Sequence, residues 1–197
     1  MQWRKEEKWE KWVDRIIDGE KIDFTHLRSF DMSFERPASG TKPAIAATIR
    51  VVFDCHVVTT KHTAIEEGPS YWRDTGGYCR VFERVRYEKS RILPGIIAAL
   101  PVGKTSCYVA KRNNYMVWKP EGAGPGDAHY QAFFDIYKAV GQDGLLILYV
   151  QSAYLKDEPL AIQRERKKPF GQICAELLGA IPPKEKGPNQ KSKRKRR

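Results

Sequence analysis

The segment Leu145-Leu146-Ile147-Leu148-Tyr149-Val150 places the strongest limit on the fold. Side chains of a strand alternate between two faces, so a strand that is apolar at every position must be covered on both. This run therefore predicts a central strand rather than a sheet edge. It is the longest uninterrupted apolar stretch of the chain. It falls far short of the roughly 18 residues a membrane span requires, so no span is expected. The turn residues Gly141-Gln142-Asp143-Gly144 precede it. They predict a hairpin of His129–Ala139 with Leu145–Leu155.

Periodicity elsewhere suggests the remaining elements. Trp9, Trp12, Val13, Ile16 and Ile17 follow helical spacing, which predicts an N-terminal helix stopped by Gly19. Asp31 to Lys42 reads as a loop. From Ile45 to Thr60 the side chains alternate: Ile49, Val51, Phe53, Cys55 and Val57 on one face, Arg50, Val52, Asp54, His56 and Val58 on the other. Tyr78 to Tyr87 reads as a further strand. Ser90 suits the N-cap of a short helix with Pro94 in its first turn. Cys107 to Lys119 suits a hairpin turning at Asn113-Asn114. After Pro169, the stripe Phe170, Ile173, Cys174, Leu177, Leu178 and Ile181 predicts a last helix. The expectation is an α+β fold: a mainly antiparallel sheet of about six strands with flanking helices, an N-terminal helix and a disordered basic tail. Residues 1–44 would be a helical appendage and loop, 45–183 the core domain and 184–197 the tail.

Charge is distributed unevenly. The 197-residue chain carries a formal net charge of +11. Residues 164–197 hold 12 basic and 3 acidic residues, whereas residues 1–163 hold 23 and 21. The last stretch, Lys184 to Arg197, has no apolar residue with which to pack. Such a run attracts phosphate backbones through counterion release. RNA or DNA is thus the expected partner, through Lys191, Lys193, Arg194, Lys195, Arg196 and Arg197. The same cations suit an anionic membrane surface or a nuclear-import signal, or serve only to keep the chain soluble. The residues Met1 to Lys8 lack the apolar core of a secretory signal. Cys55, Cys79, Cys107 and Cys174 are 24, 28 and 67 positions apart, with no Cys-x-x-Cys pair. Reduced thiols in a cytoplasmic protein are expected, and neither a zinc site nor any other metal site.

No strong catalytic signature is present: no Gly-x-Ser-x-Gly, His-Glu-x-x-His, Rossmann glycine pattern or Walker A motif. No cofactor is expected, and the sequence leaves open whether the chain is an enzyme. One distributed set has the residue types for metal-independent RNA cleavage, which needs a base, an acid and a cation for phosphorane charge. His56 would be the base, Tyr87 or Tyr154 the acid, and Arg84 or Arg86 the cation. The same residues equally suit a half-buried histidine, solvated arginines and tyrosines at a core edge. Lys111, Arg112, Tyr115, Trp118 and Lys119 mix cations with aromatics as a nucleic-acid surface does.

Three segments carry a family likeness. Phe53-x-Cys55-His56-Val57-x-Thr59, then Phe82-Glu83-Arg84-x-Arg86-Tyr87-Glu88-x-Ser90-x-x-Leu93-Pro94, then Val150-Gln151-Ser152-Ala153-Tyr154 resembles the bacterial "stationary phase growth adaptation protein" family. The resemblance covers about Ile45 to Ile181. It implies a bacterial cytoplasmic accessory protein and transfers no catalytic residue. Three functions compete: an accessory protein of stationary-phase or stress adaptation binding nucleic acid or another polyanion, a small ribonuclease-like toxin or effector, and an adaptor docking a protein partner through the helix Trp9–Ile17.

Overall fold

The computed structural model describes residues 12–41, 43–102, 106–109, 114–118, 129–156 and 167–180. Among them the strands are β1 (Arg15–Ile17), β2 (Glu20–Ile22), β3 (Phe30–Arg36), β4 (Ile45–Phe53), β5 (Thr59–Lys61), β6 (Tyr71–Arg73), β7 (Cys79–Phe82), β8 (Ser106–Val109), β9 (Asn114–Trp118), β10 (His129–Lys138), β11 (Leu145–Lys156) and β12 (Lys167–Pro169). The helices are α1 (Arg84–Ser90), α2 (Leu93–Ala98) and α3 (Phe170–Leu177), with 3-10 turns at Thr25–Leu27 and Cys55–Val57.

The apolar run lies in β11, inside a seven-stranded sheet of order β12-β8-β9-β10-β11-β4-β3. Its neighbours are β10, antiparallel, and β4, parallel. Leu146, Leu148, Val150 and Ala153 enter the main core. Leu145, Ile147 and Tyr149 face the other way, into a smaller cluster with Val52, Tyr137 and Ala139. The change of parity between Val150 and Ala153 has a local cause. A bulge lets Phe133 pair with Ser152 and Phe134 with Val150, so Gln151 is the extra residue.

The expected single sheet is overturned. Besides the seven-stranded sheet there are a three-stranded one, β5-β7-β6, and the separate pair β1-β2. The N-terminal helix is also corrected. Arg15 onward forms an antiparallel hairpin instead, turning at Asp18 (φ 51°) and Gly19 (φ 79°). Two consecutive residues at positive φ make the turn that matches strand twist, and Asp-Gly is its common sequence. The apparent helical stripe splits accordingly: Ile17 is buried, while Val13 and Ile16 are exposed. Trp12 packs at 5.3 Å from Phe24 and donates Nε1–H to the Phe53 carbonyl, so it is a core residue rather than a docking one. Trp9 lies outside the described residues, as does the tail.

Three boundaries differ as well. Met32 and Phe34 pack inward from β3, in the stretch from Asp31 expected as a loop. The long strand Ile45–Thr60 breaks at Asp54 into a 3-10 turn, which moves Cys55 and His56 off the strand. The strand expected through Tyr87 stops at Phe82, because Glu83 accepts hydrogen bonds from the amides of Val85 and Arg86 and so caps α1. Ser90 ends α1 instead of capping the next helix. The hairpin β10–β11 and the start of α3 at Phe170 stand where the pattern put them. Since Leu148 is fully buried, Leu148→Ala is expected to lower stability by about 2–5 kcal/mol in urea unfolding. Val140→Ala, at an exposed turn position, is expected to change it by no more than about 0.5 kcal/mol.

Candidate functional site

The parallel pair β4–β11 ends at one point. There the Asp54 amide donates to the Val150 carbonyl at 2.9 Å, and the chain then turns away from the sheet. The turn is set by the Asp54 carboxylate: Oδ1 accepts the His56 amide at 3.1 Å. The same oxygen accepts the Cys55 thiol at 3.3 Å, and Oδ2 accepts the Tyr149 hydroxyl from the neighbouring strand. Thr59 fixes the exit by donating its hydroxyl to the Cys55 carbonyl at 2.8 Å. The Arg80 guanidinium donates to the Thr59 hydroxyl and carbonyl in turn. Asp54 and Cys55 are buried and His56 is half-buried.

His56 reaches across to the loop between β6 and β7. Its Nε2 lies 3.1 Å from Asp74 Oδ2 and 3.8 Å from Asp54 Oδ1. Asp74 is itself held: Oδ1 accepts the amides of Gly76 at 2.8 Å and Tyr78 at 3.0 Å. Burial pushes the Asp74 carboxyl up, but the Tyr78 amide, His56 and the Gly76 amide outweigh it and keep the group below the usual carboxylate range. Asp54, Cys55 and His56 each point one metal-ligating atom into the same space, with all three atoms within 4.8 Å of one another. The spacing of histidines and cysteines gave no sign of this, because the three donors are contiguous and the fourth group, Asp74, comes from a distant turn.

A second feature adjoins the first. Arg86 donates to the His56 carbonyl at 2.9 Å, and its guanidinium stands 5.1 Å from the centre of the Tyr154 ring. Glu83, Val85, Arg86, Lys89, Tyr154 and Leu155 line a groove of about 320 Å³. Tyr154 is stacked on Phe133 at 5.3 Å. Of the expected set, His56 and Tyr154 are therefore linked through Arg86. Arg84 turns elsewhere, donating to Glu20 at 2.7 Å. Tyr87 is buried, and its hydroxyl donates to the Asp23 carbonyl and accepts from Arg91. The basic positions Lys191, Lys193, Arg194, Lys195, Arg196 and Arg197 lie outside the described residues, and so do Lys111, Arg112 and Lys119.

Tyr87 anchors a small polar nest. His26 packs edge-on against its ring, with Nε2 2.8 Å from the Ser90 hydroxyl. Burial, and then the Arg91 cation, depress the His26 pKa, against the opposing charge of Asp23. A histidine depressed in the fold favours its neutral form there. Its contribution is complete above the unfolded value of about 6.5 and declines as pH falls towards the folded one. The melting temperature is thus expected to drop between pH 7.5 and 5.5, and to drop less in His26→Gln. Equal drops in a thermal scan would show that His26 does not set this dependence.

Residues 14–178 match the YjaZ family. The match takes in the N-terminal hairpin, which the stationary-phase resemblance left out, and stops short of the basic tail. No curated protein and no solved structure matches the chain.

Proposed function

The chain belongs to the YjaZ family, and on that footing we propose that it is a cytoplasmic accessory protein of stationary-phase or stress adaptation that binds nucleic acid without cleaving it. The observation that carries this reading is the groove beside α1. Arg86 and Lys89 stand one helical turn apart and open onto it. The groove's carboxylate, Glu83, is engaged by the amides of Val85 and Arg86. Lys89 is exposed. The Tyr154 ring is already engaged by Phe133 and Arg86, so the groove offers charge rather than a bare aromatic face. That favours contact with phosphate over readout of bases. The tail Lys184 to Arg197 contributes eight further basic residues to the same kind of contact. The resemblance to stationary-phase proteins supports the cellular role. The engagement of Arg84 by Glu20 and of Tyr87 by Asp23 and Arg91 takes those two out of the ribonuclease-like set and leaves His56, Arg86 and Tyr154 for that alternative.

The test is fluorescence anisotropy with a labelled single-stranded RNA over a salt series, followed by a gel of the recovered RNA. Each phosphate contact contributes a slope of about −0.7 in log K against log salt. Lys89→Gln is expected to reduce the slope by about that amount. Removal of residues 184–197 should weaken binding about tenfold or more at moderate salt. The RNA should stay full length. Unchanged slopes in both variants would refute phosphate binding by these groups, and shortened RNA would establish the ribonuclease-like reading instead.

A further inference from the structure

We propose that Asp54, Cys55 and His56 form a zinc site, with Asp74 held against His56 so that the turn after β4 is joined to the loop between β6 and β7. Zinc binds sulfur at about 2.3 Å and nitrogen or oxygen at about 2.0–2.2 Å, so the edges of its tetrahedron measure about 3.2–3.7 Å. Here the Cys55 sulfur lies 3.3 Å from Asp54 Oδ1. His56 Nε2 lies 3.8 Å from that same oxygen and 3.1 Å from Asp74 Oδ2. The ligand atoms of Asp54, Cys55 and His56 all lie within 4.8 Å of one another, so small side-chain shifts bring them onto one ion.

Two carboxylates, Asp54 and Asp74, stand beside one imidazole, a concentration of negative charge that a divalent ion neutralises. When it binds, the Cys55 thiol gives up its proton to solvent and becomes a thiolate ligand, and the oxygen of Asp54 that had accepted this proton is released to the metal. A thiolate with an imidazole selects zinc over magnesium or calcium, which take oxygen donors.

The surroundings are those of a held ligand set. Both carboxylates are held by their second oxygen, and the backbone of the histidine is fixed. Tyr149 holds the second oxygen of Asp54. The amides of Gly76 and Tyr78 hold the second oxygen of Asp74. Arg86 holds the His56 carbonyl. The Arg80 guanidinium, anchored on Thr59, lies close enough to Cys55, Asp74 and Asp54 to feel their charges. It offsets the negative charge left when three anions surround one divalent ion.

The experiment uses the full chain, stripped with a chelator and dialysed against Co²⁺ or Zn²⁺. One ion per chain is expected. The cobalt form should show a sulfur-to-cobalt charge-transfer band in the near ultraviolet, and zinc should raise the melting temperature. Cys55→Ser should abolish the band and the thermal gain. Asp74→Asn should keep the band but weaken zinc binding by about tenfold or more. His62→Gln, whose ring faces Glu66, should leave both readouts unchanged. A wild-type chain without the band overturns the proposal, even if Cys55→Ser fails to fold. So does a band that survives in Cys55→Ser, or zinc affinity indifferent to Asp74→Asn. The groove of Arg86 and Lys89 is tested by RNA binding, so either idea can fail alone.

Discussion

The parallel pairing of β4 with β11 is the constraint on which the rest depends. Six residue pairs, from Leu145–Thr48 to Val150–Phe53, join the two strands. Parallel pairs hold best where both faces are covered, and β11 meets that condition with Leu146, Leu148 and Val150 on one side and Leu145, Ile147 and Tyr149 on the other. The pair ends together at the Asp54–Val150 hydrogen bond. The chain must leave the sheet there, and the residue that leaves is a buried aspartate. Its carboxylate satisfies an amide, a thiol and a hydroxyl at once. A buried carboxylate without those donors would cost several kcal/mol. The strand pair therefore determines where the polar cluster sits, and the cluster determines how the chain turns.

The second, three-stranded sheet packs Trp72 and Phe82 into the main core and is also tied to this junction by polar contacts. Thr59 of β5 and Arg80 of β7 meet behind Cys55. Asp74, at the turn from β6 to β7, meets His56 from the other side. Helix α1 completes the arrangement, with Arg86 bridging the His56 carbonyl and the Tyr154 ring of β11. The anionic cluster and the cationic groove thus share one backbone carbonyl as their boundary. Opposite charge stands on the two sides of His56, carboxylates on one and Arg86 and Lys89 on the other.

Much of the sheet was legible in the sequence because its strongest signals are local. The run Leu145–Val150 needed cover on both faces, and the turn Gly141–Gly144 fixed its partner. The stripe after Pro169 gave α3. The failures share one physical origin, the competition between periodicity and polar caps. Trp9 to Ile17 matched helical spacing, yet the Asp18-Gly19 turn outweighed it and made a hairpin. Asp54 interrupted an alternating stretch because its side chain accepts its own turn's amide. Glu83 started a helix within another such stretch for the same reason. The candidate site was legible only in part. His56 and Tyr154 were singled out and are linked through Arg86, but Asp54 and Cys55 share a space with His56 only because of the 3-10 turn, and Asp74 arrives by a tertiary contact that no spacing encodes.

The most direct test of the account is native-state hydrogen exchange at the amides of Asp54 and His56. The turn is an integral part of the β4–β11 junction, joined to it by the Asp54–Val150 hydrogen bond. Both amides should then exchange only through global unfolding, with the same opening free energy as Leu148 and Val150. In Tyr149→Phe, which removes a donor from Asp54, their protection should fall below that of the strand. Fast exchange at Asp54 and His56 in the wild-type chain, with Leu148 and Val150 still protected, would contradict the account by showing a turn that opens independently of the strands beneath it.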